Sequence, residues 1–159
     1  MDIYRVDKLM AEARRLAAEY RRATGKTLAI SGEIAVSDAI HLLGLEPAPT
    51  DADGYDVVRP PAAGRDACRL QVKARIVFDD SRRPHRLGQL KVDKDWDGVL
   101  LVLMDDDYEA IEIYEADRAA VANALEEATP NRRGTLSVAR FRNIGRLVWT
   151  REEGRVSHG

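Results

Sequence analysis

The sequence contains an uninterrupted apolar run of strand length, Val99-Leu100-Leu101-Val102-Leu103-Met104. Half-buried strands alternate apolar and polar residues, whereas a strand covered on both faces is apolar throughout. The run therefore predicts a strand at the centre of a sheet, with packed layers on both sides.

Two further strands are predicted upstream of this run. Apolar and polar residues alternate from Cys68 to Phe78. One face carries Leu70, Val72, Ala74 and Ile76, and the other carries Gln71, Lys73 and Arg75, which predicts a strand with one polar face. Residues 55–59 predict a shorter strand, and the proline- and glycine-containing segment 60–64 is typical of a turn. We expect the two strands to form a hairpin.

Helices are predicted on both sides of these strands. Residues 1–24 carry apolar side chains at three- and four-residue steps, which indicates an amphipathic N-terminal helix. A second helix runs from about Ser31 to Leu43, where Gly44 is a favourable stop. Downstream we predict a strand over 108–114, a helix over 117–128, a short helix over 138–144 and a strand over 146–150.

This order of elements predicts an α/β (α+β) fold, with a mixed four- to five-stranded sheet flanked by helices. We expect a single domain over residues 1–159. It would comprise the N-terminal helix (1–24), a core (30–128) and a basic C-terminal segment (131–159).

Composition restricts the class of protein. Of the 159 residues, 45% are hydrophobic and 33% are charged, which is ordinary globular composition. No apolar run approaches the roughly 20 residues that cross a bilayer, and the first residues do not have the pattern of a signal peptide. Cys68 is the only cysteine, which argues against a disulfide framework. We therefore expect a cytoplasmic protein with no membrane partner.

Charge is unevenly distributed along the chain. The formal net charge is −2, which argues against a globally basic nucleic-acid coat. Residues 65–94 nevertheless hold nine basic and four acidic residues, and residues 131–159 hold seven basic and two acidic ones, so that each stretch has a charge of +5. Such stretches are typical either of a surface that faces a polyanion or of solvated loops.

The predicted hairpin brings together side chains suited to metal-assisted hydrolysis. Pairing of its strands allows a register in which Asp56 lies beside Gln71 and Lys73, whereas a shift of one residue would turn Asp56 to the opposite face. A carboxylate such as Asp56 is a hard oxygen ligand for Mg²⁺. Gln71 offers a neutral oxygen, and the Lys73 ammonium offers a positive charge for a water molecule or a phosphate.

Glu33 is a third candidate, on the second predicted helix. Helical geometry puts it at the border of the apolar face, from which a carboxylate can reach along the edge of the sheet. The alternative is that Glu33 only complements the positive N-terminus of this helix.

Glu33, Asp56 and the tripeptide Gln71-Val72-Lys73 together resemble the PD-(D/E)XK, or restriction-endonuclease-like, superfamily. The resemblance is to the variant in which glutamine replaces the acidic residue of the (D/E)XK element, as in Mrr-like endonucleases. The family fold is a helix, three strands, a helix and a further strand. Residues 31–128 follow this order apart from the added strand at 108–114.

This resemblance implies Mg²⁺-dependent cleavage of phosphodiester bonds in DNA, with Mn²⁺ as a possible substitute. Asp56 would be the main metal ligand, with Glu33 reaching the metal directly or through water and the Val72 carbonyl as a further ligand. Gln71 would flank the metal, and Lys73 would contact the attacking water or the scissile phosphate. A partner subunit, a homodimer or a larger restriction, defence or repair system would supply targeting.

Basic residues follow the predicted catalytic strand and are expected to contact nucleic acid; they are Arg75, Arg82, Arg83, Arg86, Lys91 and Lys94.

Two alternatives stay open. One is a catalytically inactive nucleic-acid-binding module on the same fold. The other is a protein-interaction module that docks a partner through the first helix, Ile3 to Tyr20. The acidic triplet Asp105-Asp106-Asp107 is expected to be a solvated turn between two strands.

Overall fold

A computed structural model of the chain describes residues 3–77, 87, 90, 92–127 and 135–156. Within these residues, four helices and seven strands follow one another. They are α1 (Ile3–Thr24), α2 (Ser31–Leu43), β1 (Glu46–Pro47), β2 (Val57–Arg59), β3 (Cys68–Ile76), β4 (Gly98–Met104), β5 (Ala110–Asp117), α3 (Arg118–Glu127), α4 (Val138–Ile144), β6 (Arg146–Thr150) and β7 (Gly154–Arg155).

All seven strands belong to one sheet, and their order in space is their order in the sequence. Neighbouring strands are antiparallel except β3 and β4, which are parallel. The α+β class is therefore confirmed, but the prediction of four to five strands is wrong. The strands β1 and β7 were missed because two residues are too short to show any alternation.

The strand β4 lies at the centre of the sheet, with every residue buried. Helix α2 covers one face, where Ile34, Ala35 and Ala39 pack on a cluster that includes Leu100 and Val102. Helices α3 and α4 cover the opposite face, together with Leu87, Leu90 and Trp96. The continuous apolar run thus has the two-sided burial that its sequence predicted.

The polar face predicted for β3 is not a solvent-exposed face. Gln71 lies on the side of the sheet opposite α2, and only 4% of its surface is exposed. The sequence predicted a polar face but not what covers it, and the cover follows from the topology. Parallel strands need a crossover connection that packs on the sheet, and residues from the segment between β3 and β4 contribute to the layer on this face.

The predicted hairpin is present as β2 and β3, with Val57 opposite Leu70 and Arg59 opposite Cys68. Strand β2 is much shorter than β3. Within the described part of the chain, β3 therefore has a strand partner on its β2 side only over Cys68–Leu70. From Gln71 onward, no described strand pairs with this side of β3, which we call the open edge.

Arg118, at the start of α3, fixes the segment that leads into β4. Its guanidinium donates hydrogen bonds to the carbonyl oxygens of Val92, Lys94 and Trp96. The same group lies over the Trp96 ring, 4.5 Å from its centroid. A single arginine therefore satisfies three acceptors and packs against the aromatic ring beneath them.

Helix α1 is attached to the rest of the fold mainly through charged side chains. Among the residues of α1 whose burial is described, 5–24, only Ala17 and Ala18 are buried. Arg14 donates to Asp38 at 2.5 Å and to Glu109 at 2.7 Å. The outer surface of α1 leaves Leu9, Leu16 and Tyr20 exposed. Neither α1 nor any other described helix combines the length and the apolar character that a membrane span requires.

Candidate functional site

Asp56 stands immediately before β2, and its carboxylate contacts the main chain of β3. Its backbone N–H donates to the Leu70 carbonyl at 2.9 Å. Its Oδ2 accepts a hydrogen bond from the Val72 N–H at 2.8 Å. The hairpin therefore brings Asp56 to the β3 backbone at Val72, between Gln71 and Lys73. This is the point where the open edge begins.

The Val72 carbonyl points to the same side as its N–H. In a strand, the two backbone groups of one residue face the same neighbour. Because the Val72 N–H is directed to Asp56, its carbonyl oxygen is directed to the edge where the Asp56 carboxylate lies. Two hard oxygen donors, a carboxylate and a carbonyl, thus share this edge.

Gln71 is buried, and its Nε2 has no hydrogen-bond partner among the described residues. A buried polar group left unpaired costs about 1–3 kcal/mol. A ligand, an ion or a water molecule at this point would therefore be favoured. A glutamine amide carries both a donor and an acceptor, so a donor or an acceptor partner can be bound at this point.

Lys73 and Arg75 follow Gln71 on the same face of β3, and both are half-buried. Arg75 donates from Nη1 to the Ala74 carbonyl at 2.6 Å. Burial lowers the pKa of the Arg75 guanidinium. Arg75 thus occupies part of the open edge beyond Val72.

Glu33 lies in the first turn of α2 and is exposed. The described residues show no hydrogen bond or ion pair that joins it to Asp56. The structure thus groups Asp56 with Val72, Gln71 and Lys73, and it leaves Glu33 on the neighbouring helix.

The loop before Asp56 is held in place by the segment before β4. Asp53 forms an ion pair with Lys94 at 2.8 Å. Gly54 has a φ of 97°, and a Cβ built on it would lie 2.2 Å from the Lys94 Cβ, so only glycine fits here. Sequence reasoning missed this contact, although Asp-Gly within a turn-rich segment is a signal for a positive φ.

Of the six residues predicted to contact nucleic acid, the structure describes Arg75 and Lys94. Lys94 carries the ion pair to Asp53, and this hydrogen bond raises the pKa of its ammonium group. Arg82, Arg83, Arg86 and Lys91 lie outside the described residues.

The oxygen donors at Asp56 fit the preferences of Mg²⁺. This ion is usually bound by one or two carboxylates, with water and substrate phosphate completing an octahedron. Asp56 supplies one carboxylate and Val72 one carbonyl, and Gln71 is the residue before Val72 on β3. The donor set fits a magnesium ion that depends on water and phosphate for its remaining ligands.

The acidic triplet Asp105-Asp106-Asp107 is a second cluster with spacing suited to a cation. Its carboxylates already have cationic partners. Arg22 lies 2.7 Å from Asp107, and Arg151 lies 2.6 Å from Asp105. Burial alone would raise the pKa of Asp105, but hydrogen bonds from Arg151 and from backbone N–H groups outweigh it and lower the pKa.

Comparison with known proteins gives no family assignment. The chain matches no protein-family model, and no curated protein shows significant similarity to it.

Proposed function

We propose that this protein is a Mg²⁺-dependent endonuclease that hydrolyses phosphodiester bonds of DNA on a restriction-endonuclease-like core. The observation that carries the proposal is the contact between the Asp56 carboxylate and the Val72 main chain, at an open strand edge beside Gln71 and Lys73. An open edge leaves room for an extended polyanion next to the carboxylate.

The order of elements supports the same proposal. Helix α2 precedes β2, β3 and β4, and α3 follows them, which is the family order of helix, three strands and helix apart from the short strand β1 and the added strand β5.

Each residue of the site has a distinct chemical task in this proposal. Asp56 and the Val72 carbonyl would hold Mg²⁺, which supplies a polarised phosphoryl oxygen and a more acidic water molecule. The Lys73 ammonium stabilises negative charge that develops on the phosphate. The Gln71 amide would orient water or phosphate through its Nε2, which has no hydrogen-bond partner in the part of the chain that the structure describes. Mn²⁺ has similar ligand preferences and is expected to replace Mg²⁺.

The test is cleavage of supercoiled plasmid and of single-stranded DNA with Mg²⁺, with Mn²⁺ and with EDTA. We expect Asp56→Asn to lower cleavage by about 100-fold or more, because it removes the charged metal ligand. The asparagine oxygen can still accept the Val72 hydrogen bond, so the fold should be retained. Lys73→Met should have an effect of similar size.

Asp51→Asn is the matched control, since Asp51 is an exposed acid in the same loop. It should cleave like wild type. Absence of cleavage with either ion, or full activity of Asp56→Asn and Lys73→Met, would contradict the proposal.

A second candidate function is a non-catalytic nucleic-acid-binding module on the same fold. It is favoured by the single carboxylate at the β3 edge, since Glu33 makes no described contact with Asp56. This alternative predicts binding of DNA that is independent of metal and never leads to cleavage. A protein-interaction role would instead give no nucleic-acid binding and a stable complex through α1.

A further inference from the structure

A cavity of about 350 Å³ lies near the end of β2 that is opposite to Asp56. Its charged lining consists of four arginines and one carboxylate, namely Arg59, Arg65, Arg146, Arg155 and Glu115. We call it the arginine pocket. The arginines come from the end of β2, the β2–β3 turn, the start of β6 and β7. The cavity therefore gathers positive charge from separate parts of the sequence.

The carboxylate in the pocket is already neutralised by one of these arginines. Arg59 donates to the two oxygens of Glu115 at 2.6 and 3.1 Å. Arg146 lies farther from the same carboxylate, at 3.9 Å. With Arg59 committed to Glu115, three guanidinium groups remain in excess around the cavity.

Arg155 is positioned by the C-terminal end of α2. Its Nε donates to the Leu42 carbonyl at 3.0 Å. Its Nη2 lies 2.8 Å from the position that a Cβ on Gly44 would take, and Gly44 has a φ of 65°. The carbonyl therefore fixes the inner nitrogen of the guanidinium, and the glycine leaves space for the outer ones.

Arg65 is the least engaged of the four. It is exposed in the turn between β2 and β3. Across the described ranges, its guanidinium has no hydrogen bond and no ion pair. Its five N–H donors are available to a ligand.

We propose that the arginine pocket binds a phosphate group, with space for part of the molecule that carries it. Guanidinium groups match phosphate oxygens in geometry and bind them through paired, charge-assisted hydrogen bonds. A volume of 350 Å³ is at the small end of ligand pockets, which suits one phosphate and an attached sugar or base. The phosphate belongs either to a nucleic-acid strand or to a free phosphate compound.

This pocket does not depend on the catalytic proposal. Arg59 follows Asp56 by three residues on an extended chain, a span of about 10 Å. Phosphate binding by arginines requires no metal ion, whereas the Asp56 site requires one. The two proposals can therefore fail separately.

The experiment measures binding in EDTA with two probes, inorganic pyrophosphate by calorimetry and a short fluorescein-labelled single-stranded oligonucleotide by anisotropy. Arg65→Gln and Arg155→Gln remove donors of the pocket. Each is expected to weaken binding by about tenfold, the effect of losing a charge-assisted contact. Arg15→Gln is the matched control, because Arg15 is an exposed arginine that pairs with Glu19 on α1. It should bind like wild type.

The two probes distinguish the source of the phosphate. If the pocket variants bind the oligonucleotide more weakly than wild type does, the phosphate belongs to a nucleic acid, whether or not their binding of pyrophosphate also changes. If the variants lose affinity for pyrophosphate only, the phosphate belongs to a free phosphate compound. The proposal is overturned if wild type binds neither probe or if both pocket variants bind like wild type. It is also overturned if Arg15→Gln or Asp56→Asn weakens binding as much as the pocket variants do.

Discussion

The two ends of β2 have opposite electrostatic character, although the strand is only three residues long. At its start, the Asp56 carboxylate faces the main chain of an open strand edge. At its end, Arg59 joins three further arginines around a cavity. A phosphate can approach the arginine pocket directly, but it needs a bound cation to approach Asp56. A net charge of −2 therefore says little about either surface.

The two turns that flank β2 differ in a similar way. Gly54, before the strand, is crowded by Lys94. Gly64, after the strand, also has a positive φ, of 78°, but a Cβ there would have no atom within 4 Å. The start of β2 is thus fixed against another segment, whereas the turn after it is in open space. The Asp56 site depends on long-range packing, and the arginine pocket depends on side chains that reach in from several elements.

The largest stability effect should come from breaking the ion pair in the arginine pocket. Glu115 is only 11% exposed, and Arg59→Met would leave it without its main partner. We expect a loss of about 3 kcal/mol in the free energy of unfolding, measured by urea denaturation. The double variant Arg59→Met with Glu115→Leu should recover most of the loss. A single variant within about 0.5 kcal/mol of wild type would show that solvent already screens this pair.

Alanine substitutions at Gly54 and Gly64 should have intermediate effects on the free energy of unfolding. Their difference separates steric crowding from backbone strain. Gly64→Ala should cost about 1 kcal/mol, because alanine is disfavoured at positive φ. Gly54→Ala adds the clash with Lys94 and should cost about 2 kcal/mol or more. It should also lower DNA cleavage, since it displaces the loop that presents Asp56. Thermal unfolding measures the loss of stability, and plasmid cleavage measures the loss of activity. Equal effects of the two variants would contradict the claim that only the turn at Gly54 is crowded.

The smallest effect concerns the stability of the fold in acid, through the ion pair between Arg69 on β3 and Asp97, the residue before β4. Hydrogen bonds from Arg69 hold the pKa of Asp97 below its usual value. A carboxyl with a lowered folded pKa stabilises the fold above its unfolded pKa, near 3.9, and this contribution is lost as pH falls through the folded value. Asp97→Asn should therefore flatten the fall in stability below about pH 4.

Because both side chains are about 40% exposed, we expect an effect under about 1 kcal/mol. Urea unfolding between neutral and acid pH measures it. An unchanged pH slope in Asp97→Asn would show that the ion pair contributes nothing to folding.

The sequence predicts the features that depend on local pattern. The apolar run at 99–104 marks the central strand, and the helix at 138–144 and the strand at 146–150 match the structure. The burial of Gln71 was missed, because alternation identifies the two faces of a strand but not what covers them. The pairing of Lys94 with Asp53 was missed as well, because it joins the loop before β2 to the end of the crossover, 41 residues later.

The candidate sites follow the same rule. Asp56 and the tripeptide at 71–73 belong to one hairpin, so their proximity could be inferred from strand pairing. The arginine pocket could not, since its arginines come from separate elements. The sequence shows only two basic stretches, and a count of charges cannot say which members converge on one cavity.

The sheet has its strands in chain order, which bears on how the protein folds. Each strand pairs with the one that precedes it in the sequence, so none has to be inserted between two strands that have already paired. Pairings of this kind keep the sequence separation of contacts short, which favours fast folding. The longest of these closures joins β5 to β6, where Glu115 pairs with Arg146. The hairpin that carries Asp56 can therefore form before the central strand is available.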